Sequence, residues 1–247
     1  MKRTKKLKGK TLLQRTSNTL SKWTLLLSKS NSTRSNGCRY IERPLLIWNR
    51  KFDIRVWVLV NYDHTCYFFK EGYLRTSSSE FVINEDDVDN AYVHLTNNAV
   101  QKHCKNYGQF EDGNQLSFSR FQEYIDEHYP EAGISVKNDL LPTMKNIIAK
   151  SLLAARKKID PNKRKHCFEL FGYDFIVDTD FNLWLIEVNT NPCIEESSEL
   201  LKKYLRRMIE DMLRLAVDPL FPRPRPKKAK KTRAESATKR GSTNSQC

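Results

Sequence analysis

The chain has 247 residues, of which 39% are hydrophobic, enough to bury one good core. Its formal charge of +14 is concentrated at the ends: six Lys and Arg side chains in residues 1–10 give +6, residues 223–247 give +8, and residues 11–222 are neutral. A neutral centre without a recognisable nucleic-acid motif argues against a basic nucleic-acid-binding domain, and the apolar run 23–27 is too short and too flanked by Lys for a membrane span or secretory core.

Residues 1–10 form a basic run and 28–36 a Ser/Asn-rich linker without hydrophobic periodicity. In residues 50–60 the even positions Phe52, Ile54, Val56, Val58 and Val60 are all apolar, whereas the odd ones are Lys51, Asp53, Arg55, Trp57 and Leu59. This period of two predicts a half-buried strand. A turn at 62–65 and a return strand at 66–70 follow, and then Gly72 to Ser78 places Arg75 among hydroxyls. Amphipathic helices are expected over 117–129 and 138–159, the second with Pro142 in its first turn and Pro161 beyond its end. Residues 168–178 and 184–189 read as a hairpin around Thr179 to Asn182. A last helix over 196–217 is expected to pack on that hairpin. The fold class is α+β, mainly an antiparallel sheet with helices against it, flanked by disordered basic tails.

The six cysteines lack paired short spacing, so neither a zinc module nor a disulfide framework is indicated. Reduced thiols point to an intracellular protein. The basic tail beyond Phe221 would suit an acidic partner or nucleic acid through screened attraction, and a nuclear localisation signal is an equally cheap reading.

Chemistry concentrates in the hairpin. Residues 184–189 form an apolar strand carrying Glu187, whose burial would cost several kcal/mol without a compensating cation or hydrogen bonds. If Asp178 faces Leu183, Asp174 falls opposite Glu187, and Asn189 shares the face of Glu187. Opposed carboxylates repel, and a magnesium ion shared with nucleotide phosphates would relieve them. The alternative is a buried Asp and Glu satisfied by Arg or Lys from elsewhere. Lys51, Arg55 and Arg75 in the same cleft would suit phosphate and carboxylate groups.

Several motifs, in order, resemble the tubulin tyrosine ligase-like family of ATP-grasp ligases: residues 50–60, Glu71 to Thr76, His94 to Asn98, Lys105 to Gly108 with Glu111 to Asn114, and Phe171 to Asn189. The resemblance runs from about Tyr40 to Phe221. It implies ATP and Mg2+ as cofactors, tubulin tails and a free amino acid as substrates, and ligation through an acyl phosphate. It implies Asp174, Glu187 and Asn189 as magnesium ligands, and Arg55 and Arg75 as catalytic arginines holding phosphate and the reacting carboxylate. Lys51, Asp53, Thr96 and Asn97 match nucleotide contacts, the last two following a short strand, with His94 nearby. Arg39 and Ile41 match a hinge whose backbone bonds adenine. A cytoplasmic, microtubule-associated location, with cilium or basal body as candidates, follows from the same resemblance.

The resemblance departs at the amino end, where the family carries a further domain and an ATP-grasp lobe with a glycine-rich loop. Here the expectation is a basic segment 1–38, a ligase lobe 39–221 and a basic tail 222–247. A chain of this layout is expected to turn over weakly by itself. Three functions stay open at this point: a ligase modifying tubulin tails with tyrosine, glutamate or glycine; a noncatalytic lobe that still binds tubulin; and a basic nucleic-acid binder, which the neutral centre disfavours.

Overall fold

In the computed structural model the described residues are 4–7 by backbone alone, 40–82 and 90–221. Arg39 and the basic tail 222–247 lie outside them. The element that organises the rest is β3, Arg50–Asn61, a twelve-residue strand. Along one side it pairs antiparallel with β4, Cys66–Phe69, and with β5, Tyr73–Glu80; along the other it pairs with β7, Phe168–Val177. The short strand β6, Gln115–Ser117, extends the sheet beyond β5, and β8, Leu183–Asn189, extends it beyond β7.

Two small strands are not legible in the sequence. Strand β1, Thr4–Leu7, pairs with β4, so part of the basic run expected to be a disordered tail adds a sheet strand. Strand β2, Leu46–Ile47, meets β3 through Trp48 and Asn49, both at positive φ (47° and 61°), the conformation that two-residue hairpin turns demand.

The even positions of β3 do what their pattern requires. Phe52, Ile54, Val56, Val58 and Val60 are buried against Phe121 and Ile125 of α1, Phe118–His128, and Met144 and Ile148 of α2, Leu141–Ile159. Each large apolar side chain buried this way contributes about 1.5–3 kcal/mol. Both helices match the expected segments, although a wider turn over Val136–Leu140 takes the place of the first turn expected for α2.

The last helix, α3, is Glu199–Ala216, with Ser198 Oγ accepting the Leu201 amide at 3.1 Å as its N-cap. Its apolar stripe does not seat on the hairpin as expected. Leu201, Leu205 and Met208 pack on Trp57, Phe69 and Tyr73, on the opposite sheet face from α1 and α2, and Leu170 is the β7 residue they reach. The reason lies in the sequence of β3: its odd face turns apolar at Trp57 and Leu59, and that is the surface an apolar helix must cover.

Candidate active site

The half of that same sheet face beyond α3 carries the polar residues. On β3 these are Lys51, Asp53 and Arg55; β5 contributes Arg75, which pairs with Asp53 in the ladder; β7 contributes Asp174, which pairs with Arg55. Antiparallel pairing puts directly opposite residues on one face, so Asp53, Arg55, Arg75 and Asp174 form one layer of ionised groups. All four are buried.

Their hydrogen bonds alternate in sign. Thr96 Oγ1 donates to Asp53, and Arg75 donates from Nε to Asp53 Oδ1 at 2.6 Å and from Nη2 to Asp53 Oδ2 at 2.8 Å. The same Nη2 reaches Asp174 Oδ2 at 2.7 Å, and Arg55 clamps Asp174 through Nε and through Nη2, the latter at 2.9 Å. Burial by itself would raise the Asp174 pKa, but the Arg55 hydrogen bond and the charges of Arg75 and Arg55 overcome it and hold the carboxyl below 3.8. Burial likewise opposes the Arg75 charge, and Asp53 more than offsets it. Asp174 is thus compensated by arginine, the alternative that the sequence left open.

The hairpin brings in the remaining groups. Glu187 sits opposite Asp174, as expected, but the loop register is one residue different: Val177, not Asp178, faces Leu183. A bulge between Asp174 and Phe175 absorbs the difference. Its effect is physical, because one extra residue flips the parity of the strand. Leu183 and Leu185 therefore pack on the core while Glu187 and Asn189 turn to the polar face. Asn189 Nδ2 lies 2.9 Å from Glu187 Oε1 and 3.4 Å from Asp174 Oδ2, so the three side chains converge.

One expectation about this strand fails. Glu187 is not buried among its apolar neighbours but exposed, as are Trp184 (39%), Ile186 (54%) and Val188 (38%). Strand β8 pairs with β7 and with no other described strand, which makes it an edge of the described sheet.

The expected nucleotide contacts divide into two groups. Lys51 Nζ donates to His94 O at 3.0 Å and lies 4.8 Å from the Tyr40 ring centroid, and Tyr40 OH meets His94 Nδ1 at 2.9 Å. Burial lowers the Lys51 pKa, with Asp53 pulling partly the other way. Ile41 stands with Tyr40, Asp178 and Trp184 in an open groove, because Leu45 N bonds Val177 O at 2.8 Å and ties this segment to the hairpin. Thr96 and Asn97 follow a helical turn, Ala91–His94, not the strand expected, since Asn90 Oδ1 caps that turn by accepting the Tyr92 amide at 3.2 Å. Asn97 Oδ1 accepts the Val100 amide at 3.0 Å and so caps the next turn, Asn98–Gln101.

Two supporting residues lie within the quoted motifs but receive no role from the sequence. Gly172 has Arg55 over it: a Cβ there would lie 2.8 Å from Pro192 Cβ and 3.2 Å from Arg55 Nη1. A glycine inside a strand is the signal for such close approach. Glu111 accepts from both Arg50 Nη atoms, with Thr76 at 3.0 Å, and fastens the loop before β6 to the sheet. No local pattern in the sequence pairs residues so far apart.

Two carboxylates and a side-chain amide make a hard-oxygen donor set of the kind that suits magnesium. Asn189 would present its oxygen by turning its amide. Among the described residues no cluster of three or more His, Cys, Asp or Glu side chains gathers to hold a metal.

An α+β lobe with a mostly antiparallel sheet, here carrying paired carboxylates and arginines on one face, is consistent with an ATP-grasp-like fold. Comparison with known proteins identifies the family. Residues 5–225 match the profile of the "Tubulin-tyrosine ligase family", and the chain belongs to that family. It is 39% identical over 187 residues to tubulin glycylase 3D of Tetrahymena thermophila, covering 73% of this chain and 17% of that protein. It is 40% identical over 186 residues to human protein monoglycylase TTLL8, covering 73% of this chain and 21% of the relative. With the probable tubulin polyglutamylase TTLL9 of Bos taurus it shares 40% identity over 180 residues, 72% of this chain and 37% of that one. The chain therefore spans well under half the length of these relatives. Among the described residues no helix is long and apolar enough to cross a membrane.

Proposed function

We propose that this chain carries the metal-nucleotide side of an ATP-dependent ligase that joins an amino acid to a glutamate-rich tubulin tail through an acyl phosphate, at microtubules. The observation that carries this reading is the convergence of Asp174, Glu187 and Asn189 beside a layer containing Arg55 and Arg75. Family membership and the tubulin-modifying relatives support it. The names of those relatives favour glycine or glutamate over tyrosine as the added group.

Phosphorylating a carboxylate brings several negative charges together, so fixed cations must stand where that charge grows. Asp174, Glu187 and Asn189 would hold magnesium, which supplies neutralisation of the ATP phosphates when bound. Arg55 and Arg75 hold their guanidinium groups in a buried layer, where each hydrogen bond to an anion is stronger than in water. Lys51, with Tyr40 and His94, offers a half-buried ammonium for a second phosphate contact. Ile41 in its groove offers backbone groups to the adenine ring. In this reading residues 39–221 are the ligase lobe and Arg39 belongs to the hinge.

The test is to incubate the purified protein with ATP, Mg2+, tubulin and labelled glycine, glutamate or tyrosine in separate reactions. Incorporation of glycine or glutamate that disappears in Arg55→Ala, with folding retained, supports the reading. Incorporation unaffected by that change removes Arg55 from the chemistry. A noncatalytic tubulin-binding lobe is the second reading, favoured by the arginines already seated on Asp174; co-sedimentation with tubulin in the absence of any incorporation would select it.

A further inference from the structure

Asp174 is over-subscribed at one of its two oxygens. Its Oδ2 faces Arg55 Nη2 at 2.9 Å, Arg75 Nη2 at 2.7 Å and Asn189 Nδ2 at 3.4 Å, and its Oδ1 accepts from Arg55 Nε. A carboxylate oxygen has two lone pairs. Turning the Asn189 amide removes one donor, but the two arginine donors still fill both lone pairs of Oδ2, so a cation bound at that oxygen requires an arginine to leave.

The two arginines are not equivalent in what leaving would cost. Arg55 points both Nε and Nη2 at Asp174, and its guanidinium is confined above Gly172, where even a Cβ would come within 3.2 Å of Nη1. Losing Asp174 would strand that buried charge. Arg75 has a second carboxylate: its Nε and Nη2 hold both oxygens of Asp53 at 2.6 and 2.8 Å. Asp53 is itself fixed by the Thr96 hydroxyl. Release from Asp174 would leave Arg75 paired and would free one N–H of Nη2.

We infer that Arg75 is the resident cation of Asp174 Oδ2 in the unloaded protein, displaced when a divalent cation binds, and that Asp53 and Thr96 are positioning residues that retain it beside the site. The inference rests on the metal-site reading given above. Its consequence is a coupling: the N–H freed by metal loading is the donor offered to the incoming carboxylate or phosphate, so the anion-binding arm is armed only when the cation is present.

The experiment titrates Mn2+ alone, followed by electron paramagnetic resonance, into the wild-type chain, Arg75→Gln, Asp53→Asn and Glu187→Gln, with folding of each checked by circular dichroism. Removing the resident cation in Arg75→Gln should tighten Mn2+ roughly tenfold, and Asp53→Asn, which leaves Arg75 to Asp174 alone, should weaken it roughly tenfold. In the wild type, Mg2+ should shift the Arg75 Hη2 resonances while Hε, held by Asp53, stays; this measurement stands even where a variant fails to fold. Equal Mn2+ affinity in folded Arg75→Gln and wild type, with unmoved Arg75 signals, overturns the exchange and leaves the metal site intact. Absence of Mn2+ binding in all folded forms, or binding indifferent to Glu187→Gln, overturns the metal-site reading and the exchange with it.

Discussion

Along the odd face of β3 two surfaces lie end to end, and they solve burial in opposite ways. Trp57 packs against α3, Leu59 lines a small apolar cavity with Met208, Met212 and Leu215 of that helix, and both gain from leaving water. Asp53 and Arg55, a few residues away on the same face, are as deeply buried, but their burial is tolerable only because Arg75 and Asp174 neutralise them in an unbroken chain of hydrogen bonds. Strand pairing places both sets, since every one of these side chains is fixed by the same ladder. The apolar half is a support that depends on shape. The polar half is a store of charge that depends on partners.

Deleting one side chain from each half breaks that contrast most strongly. Trp57→Ala should cost about 3–5 kcal/mol through cavity formation, and Asp174→Ala a similar 3–5 kcal/mol by leaving guanidinium charge buried and unpaired. Denaturant unfolding at neutral pH gives the two values, and acid separates them. The Asp174 pKa is depressed in the folded state relative to its ordinary 3.8, so the stability it contributes is present above that value and lost as pH falls through the lower folded one. The deficit of Asp174→Ala should shrink below about pH 3.8, whereas the deficit of Trp57→Ala should stay constant. Parallel loss of both deficits in acid would show that charge pairing does not distinguish the two halves.

A smaller effect is expected where the halves meet. Gly172 pairs with Trp57 in the ladder and lies under the Arg55 guanidinium. Gly172→Ala should cost about 1–3 kcal/mol by overpacking against Pro192 and should push Arg55 off Asp174. A melting curve reports the first and the Arg55 Hε resonance the second. The smallest effect belongs to the rim: Asn97→Ala removes an exposed helix cap and should cost about 0.5–1 kcal/mol. If nucleotide affinity falls with it by tenfold or more, Asn97 also contacts ligand.

The sequence shows the face on which each of these residues lies, because alternation with period two is visible residue by residue. It does not show their partners. Arg75 could meet Asp53, Asp174 or a ligand, and only the order of β5, β3 and β7 in the sheet decides among them. The hairpin teaches the same point differently: pairing of Asp174 with Glu187 is expected from a loop register that is off by one, and it holds only because of a bulge, unmarked in composition, that lets Leu185 face the core and Glu187 the site. The exposure of Glu187 runs against the sequence because an apolar strand reads as buried on both faces, while β8 lies at the edge of the described sheet. Helix α3 is readable as amphipathic, but its seat follows from Trp57 and Leu59 rather than from the neighbouring hairpin.

The exposed position of Glu187 makes one measurement decisive, because a change there can alter binding without altering the fold. Calorimetric titration of Mg2+-ADP into the wild-type chain and into Glu187→Gln tests whether Asp174, Glu187 and Asn189 form a metal-nucleotide site. The account predicts magnesium-dependent binding by the wild type, at least about tenfold weaker binding by Glu187→Gln, and equal unfolding midpoints for the two. Equal affinity in both, or no binding by a folded wild-type chain, would contradict it.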